Sequence, residues 1–154
     1  MERRHFLGIT PVLLAAPAYA HHGWSSFDES RPVYLEGKVK SVKWQNPHAE
    51  IIVVVGTDTK LPPDLARRMV PPQKTHVDAA RILAAATLPK RRGEWHLELS
   101  PMTRIEAWKV PEPKNGDTVA AVGYTFKDEQ GPQLVRVEFL FVGGAAFGLR
   151  SMPV

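Results

Sequence analysis

The sequence predicts a mainly β protein: a five-stranded, OB-like Greek-key barrel with a short helix between strands 3 and 4 and a helical insertion between strands 2 and 3. Three observations predict it. Five segments carry strand patterning: Val33 to Trp44, Ala49 to Val55, Glu94 to Leu99, Thr118 to Phe126 and Gln133 to Val142. Between the third and fourth, Pro101 to Val110 spaces Met102, Ile105 and Trp108 as one face of a helix. Between the second and third, a proline-punctuated stretch at 57–93 breaks the strand pattern. Strand, strand, strand, helix, strand, strand is the element order of the OB-fold.

Each element has a local reason. In the first strand, Val33, Leu35, Gly37 and Val39 alternate with polar residues, and the phase slips at Lys40-Ser41 before Val42 and Trp44, as a β-bulge requires. Gln45-Asn46-Pro47 is a turn, and the β-branched run Ala49 to Val55 then reads as a strand buried on both faces. In the excursion, Pro62-Pro63 and Pro71-Pro72 bracket Asp64 to Met69, which permits a turn or two of helix. Asp78 to Leu88 is a better helix, with Asp78 at its start, Pro89 as its stop and Ile82, Leu83 and Ala86 as its apolar stripe. Lys90-Arg91-Arg92 follows as a favourable charge at that helix's C-terminus and a solvated loop. Trp95, Leu97 and Leu99 share the core face of the third strand. Lys114 to Asp117 and Lys127 to Pro132 are turns, Gly143-Gly144 closes the last strand, and the tail from Ala145 packs back on the barrel.

The first twenty residues have a separate logic. Arg3 and Arg4 form a positive n-region, Phe6 to Pro17 is apolar, and Ala18-Tyr19-Ala20 is an A-x-A cleavage site. The apolar run is too short to span a bilayer, which takes about 20 residues. Residues 1–20 are therefore expected to be a signal peptide cleaved after Ala20, which places the product in the periplasm. Arg3-Arg4-His5-Phe6-Leu7 follows the twin-arginine export pattern.

The expected mature chain, 21–154, is one OB-like domain with its insertion at about 57–93 and no membrane span. Its mildly basic balance, from a net charge of +4 for the whole chain, argues neither for nucleic acid nor for an anionic membrane. The absence of cysteine excludes disulfides, thiolate metal sites and cysteine nucleophiles.

Several motifs then coincide. His21-His22-Gly23-Trp24-Ser25-Ser26-Phe27-Asp28, Leu35-Glu36-Gly37-Lys38-Val39 and Val42-Lys43-Trp44-Gln45-Asn46-Pro47-His48 resemble a bacterial family of exported proteins of unknown function, DUF6152. Trp95 to Ser100, Asn115 to Val119 and Gly123-Tyr124 are similar to later parts of that family. The stretch from Thr57 to Arg92 is the departure, where the resemblance implies only a short turn. The resemblance implies a small periplasmic β-barrel and no particular chemistry.

Cleavage after Ala20 would expose a chelating terminus. The α-amine of His21 and a neutral imidazole are both metal donors near pH 7. With His22 beside them and a third nitrogen from His48 in the Asn-Pro-His turn, they suit a tetragonal, copper-like site, or zinc, with His96 as the reserve ligand and Trp24 and Trp44 as walls. The competing account treats the paired histidines as a polar start and His48 as a turn residue. The chain is then a metal-free module docking a partner protein or a small ligand on its β-face.

A hydrolase using two of Glu36, Glu50, Glu94 and Glu98 is the outlier. No nucleophile elbow and no phosphate-binding glycine loop is present, so no enzyme activity is assigned. An aromatic platform of Trp44, Trp95, Tyr124 and Phe126 for single-stranded nucleic acid is set aside, because export argues against it and inward spacing makes Trp44 and Trp95 core residues.

Overall fold

The computed structural model describes residues 23–154. The predicted signal peptide, its cleavage site, His21 and His22 lie outside the described residues. Six strands are present: β1 (Val33–Lys43), β2 (Glu50–Val55), β3 (Gly93–Glu98), β4 (Thr118–Tyr124), β5 (Leu134–Val142) and β6 (Ala145–Gly148). The hydrogen-bonded order is β3-β2-β1-β4-β5, and a parallel pairing of β3 with β5 closes the five strands into a barrel. The helix α2 (Met102–Ala107) connects β3 to β4. This is the OB-like arrangement that the element order predicts.

The barrel interior is filled by side chains. Leu35, Val39, Ile51, Val53, Trp95, Leu97, Leu99, Val119, Val135 and Val137 are all buried in one cluster, and Ile105 and Trp108 of α2 belong to it. The predicted slip in β1 is real: its register against β2 shifts between Val39 and Ser41, leaving Lys40 as the extra residue. Trp95 is a core residue as expected, whereas Trp44 is only partly buried against the same cluster.

Three expectations need correction. β2 is buried on one face only, because none of the described residues covers its outer side: Ile52 is half-buried and Val54 is 42 % exposed. The strands buried on both faces are β4 and β5. Gly143-Gly144 does close β5, but β5 is not the last strand, because the two glycines form a two-residue hairpin turn. Both glycines have positive φ, 60° and 79°, the geometry that matches strand twist in such a turn, and β6 returns along β5 from Val142↔Ala145 to Phe139↔Gly148. Finally, Lys90-Arg91-Arg92 is not a solvated helix end. The helix α1 (Ala79–Ala85), capped by the Asp78 carboxylate accepting from the Arg81 N–H at 3.0 Å, stops at Ala86 because Thr87 exchanges backbone hydrogen bonds with Pro32 and Tyr34.

The basic run instead grips the β4–β5 connection. The buried Glu129 carboxylate accepts from the Lys90 N–H at 3.0 Å and from Arg31 at 2.7 Å, and Arg91 donates to the carbonyls of Glu129 and Gly131. Glu129 has a left-handed φ of 58°, which for a side chain with a Cβ costs about 1–2 kcal/mol. These hydrogen bonds hold it there.

The insertion has a packing role as well. With its 3-10 turn Leu65–Arg67 and α1, it lays Leu65, Leu83 and Ala86 over an outer row formed by Tyr34, Val122 and Phe139, creating a second apolar cluster outside the barrel. The tail does pack back on the barrel: Leu149 N–H donates to the Glu138 carbonyl, and Trp108 Nε1 donates to the Ser151 carbonyl, each at 2.8 Å.

Candidate functional site

The segment from Gly23 to Pro32 is an arm, and its residue types explain how it is held. Trp24–Ser26 forms a single 3-10 turn, Phe27 is buried, and Asp28 N–H donates to the Thr125 carbonyl at 2.9 Å. Phe27 stacks on Phe126 with ring centroids 5.0 Å apart. Trp24 meets the Tyr124 ring edge-on at 6.3 Å, with the Arg150 guanidinium 3.9 Å and that of Arg136 5.1 Å from its centroid. An indole face attracts cations through its quadrupole, so two arginines fix the one large side chain at the arm's start.

Beneath Trp24 lies a charged cluster on the outer side of β5. The register of β5 against β4 jumps from Val122↔Phe139 to Gly123↔Val137, so Glu138 is the extra residue of a bulge. Its side chain is fully buried. Arg150 Nε donates to Glu138 at 2.7 Å, and the same guanidinium reaches Glu29 at 2.8 Å. Burial disfavours the Glu138 charge and leaves its pKa raised, although Arg150 opposes this. Burial also opposes the Arg150 charge, but its hydrogen bonds to Glu138 and Glu29 outweigh that and raise its pKa. Tyr124 is pushed up to about 12 by burial and then by the Glu138 charge.

The neighbouring outer face of β3 and β2 carries the titratable groups. Register pairs Glu98 with Arg136 and with Glu50, and His96 with Leu134 and Ile52. Glu98 is ion-paired with Arg136. Glu50 accepts from Lys43 at 3.1 Å, and its second oxygen lies 3.1 Å from His96 Nε2. His48 is half-buried in the loop that leads into β2, two residues before Glu50.

The predicted ligands are therefore only partly brought together. His96 lies on the outer face of β3 beside Glu50, His48 lies in the loop before β2, and His21 and His22 lie outside the described residues. Among the described residues, no group of three His, Cys, Asp or Glu side chains could hold a metal ion. The expected walls do not converge on one cluster: Trp24 packs with Phe27, Tyr124 and Leu134, and Trp44 packs against the barrel core. The four carboxylates of the hydrolase reading each have a partner of their own: Tyr34 for Glu36, Lys43 and His96 for Glu50, Lys40 for Glu94 and Arg136 for Glu98.

The arginine–glutamate cluster escaped sequence reasoning. Its signal was present in the alternation of β5, which places Arg136 and Glu138 side by side on an outer face whose flanks, Leu134 and Phe139, are apolar. Charges on a face that is about to be covered need partners.

Residues 11–61 match the model of a family of unknown function, DUF6152. The motifs from His21 to His48 lie inside that match, and those at 95–100 and 115–124 lie outside it. No curated protein and no solved structure matches the chain.

Proposed function

We propose that this chain is an exported, periplasmic binding or accessory domain whose mature terminus holds a copper-like metal ion. The α-amine and imidazole of His21, with His22, supply the first nitrogens and His48 supplies the next, His96 standing in reserve. The observation that carries this reading is the seat of Trp24. It is pinned over Arg136, whose strand neighbour on β3 is Glu98, beside His96 and one strand from the His48 end of β2.

Distances favour it. Two residue steps lead from Gly23 to His21, a reach of at most about 7 Å. Two strand spacings of about 4.8 Å take the sheet from β5 to β2, and an imidazole supplies several ångströms more. Nitrogen donors suit copper(II) and zinc(II), and a terminal amine deprotonates near neutral pH. The signal-peptide features of residues 1–20 support cleavage after Ala20, without which there is no such amine.

Calorimetric titration of copper(II) and zinc(II) into processed protein beginning at His21 tests the proposal. One-to-one binding is expected, abolished by one extra residue before His21 and weakened at least about tenfold by His48→Ala, since losing even an outer-shell partner of a ligand costs about 10–100-fold. Weak binding that neither change alters would overturn it, leaving a metal-free module that docks a partner protein or a small ligand.

A further inference from the structure

A second site stands on the other side of the molecule, independent of the metal reading. Strand register sets Glu36, Ala120, Phe141 and Ala146 in one transverse row across β1, β4, β5 and β6. The adjacent row, Tyr34, Val122, Phe139 and Gly148, is covered by the insertion through Leu65 and Leu83. The insertion covers the first row only in part, packing against Ala120 and Phe141, and the two alanines leave space on either side of Phe141. The result is an open trough of about 480 Å³, walled by Asp64, Arg68 and Met69 on one side and the Gly143-Gly144 turn on the other. That volume is typical of small-molecule sites.

The charges in the trough are not balanced. Arg68 lies 5.1 Å from the Phe141 ring centroid and is ion-paired with Asp64 at 3.2 Å, so that pair is neutral. Glu36 forms no direct ion pair among the described residues, and the Arg68 guanidinium reaches it only through the Tyr34 hydroxyl that both contact. Its Oε2 accepts from the Tyr34 hydroxyl at 2.5 Å, which fixes the carboxylate at one end of the trough. Burial, followed by this hydrogen bond to Glu36, raises the Tyr34 pKa, so the phenol keeps its proton and remains the donor. One unneutralised carboxylate thus faces an apolar floor that ends, two strand spacings or about 10 Å away, at an aromatic ring.

We infer that this trough binds a small amphipathic organic cation, a primary amine whose ammonium pairs with Glu36 and whose apolar body lies across Ala120 onto Phe141, with Ala146 at its far end. An anion would meet the uncompensated Glu36 charge. A neutral chain would forgo the charge-assisted hydrogen bond, a loss of roughly tenfold or more in affinity.

The test uses n-hexylammonium, whose length matches the trough, against its near-isosteres 1-hexanol and hexanoate. Binding to the processed protein is followed by chemical-shift changes in two-dimensional amide NMR spectra. Saturable binding at about millimolar concentration is expected for so small a ligand, with shifts centred on Ala120, Phe141 and Gly143 to Ala146. Glu36→Gln should weaken it about tenfold. Ala146→Leu, at a half-exposed position outside the buried clusters, should block it by filling the trough. Equal binding of hexanoate, indifference to both substitutions, or no saturable shift would each overturn the assignment. Because no metal enters the experiment, its failure leaves the terminal metal site untouched.

Discussion

Replacing Arg150 by methionine should be among the most damaging single changes outside the barrel core. Glu138 is fully buried at the β5 bulge, and its Oε1 has no hydrogen-bond partner among the described residues. The Arg150 guanidinium, 2.7 Å away through Nε, is its only ion-pair partner among them. Removing one member of a buried pair strands the other charge and costs about 3–5 kcal/mol. The loss of the cation stacked 3.9 Å from Trp24 adds about 0.5–1 kcal/mol. A total near 4 kcal/mol corresponds to a fall of about 10–20 °C in Tm for a domain of this size.

Urea denaturation at pH 7, with thermal melts beside it, measures this cost. The sign with pH follows from Glu138. Burial already raises its folded pKa, and removing Arg150 raises it further. A carboxyl with a raised folded pKa is better tolerated when protonated, so the deficit is smallest in acid and grows as pH rises above the raised folded pKa of the wild type. Adding Glu138→Leu should return most of the lost stability by removing the stranded charge. A single-variant cost below about 1 kcal/mol, or a double variant no more stable than the single, would refute the reasoning.

Other outcomes follow from the same geometry. Glu129→Gln should cost about 1–2 kcal/mol at pH 7. Burial disfavours the Glu129 charge, but the Lys90 N–H and Arg31 outweigh burial and lower its pKa. Its stabilisation is thus complete above the unfolded value of about 4.3 and is lost as pH falls through the folded one, so wild type and variant should converge in acid denaturation curves. Gly123→Ala should destabilise by at least about 2 kcal/mol in urea melts. A Cβ there would overlap the Arg136 carbonyl oxygen and come within 2.7 Å of Val135 Cγ1, where β4 and β5 approach at their bulge.

Much of this fold is legible because its determinants are local. The slip at Lys40-Ser41 is written in the alternation of β1, Asp78 stands where a helix cap belongs, and Met102, Ile105 and Trp108 mark α2 by spacing alone. What was not legible depends on distant residues. Val54 and Phe139 look alike in sequence, yet the first is exposed and the second buried, because only the second lies under Leu65 and Leu83. The four residues of β6, two of them alanine, carry too little hydrophobic pattern to announce a strand. Arg91 and Arg92 resemble solvated charges until the β4–β5 connection folds against them. At the candidate metal site, the histidines were evident from residue type. The seat of Trp24 was not, since it joins residue 24 to residues 124, 136 and 150.

The bulge at Glu138 organises both proposed sites. An eight-residue helix or a wide lumen could house a ligand elsewhere, but a five-stranded barrel filled by Trp95, Leu97 and Val137 has no interior to offer. Ligands are left with the outer faces, where covering segments end. Glu138 shifts the phase of β5, so that Leu134 packs with the arm, while Phe139 and Phe141 pack with the insertion. One site lies where the arm begins and the other where the insertion stops. Arg136 and Phe141 are five residues apart on β5, about 16 Å, and the two sites share no side chain. Sites so separated behave additively. Copper(II) affinity at the terminus should therefore be unchanged by saturating n-hexylammonium, measured by repeating the calorimetric titration in its presence. A shift beyond about twofold would mean that the arm and the insertion move as one unit, and that the β5 bulge transmits strain rather than isolating the two faces.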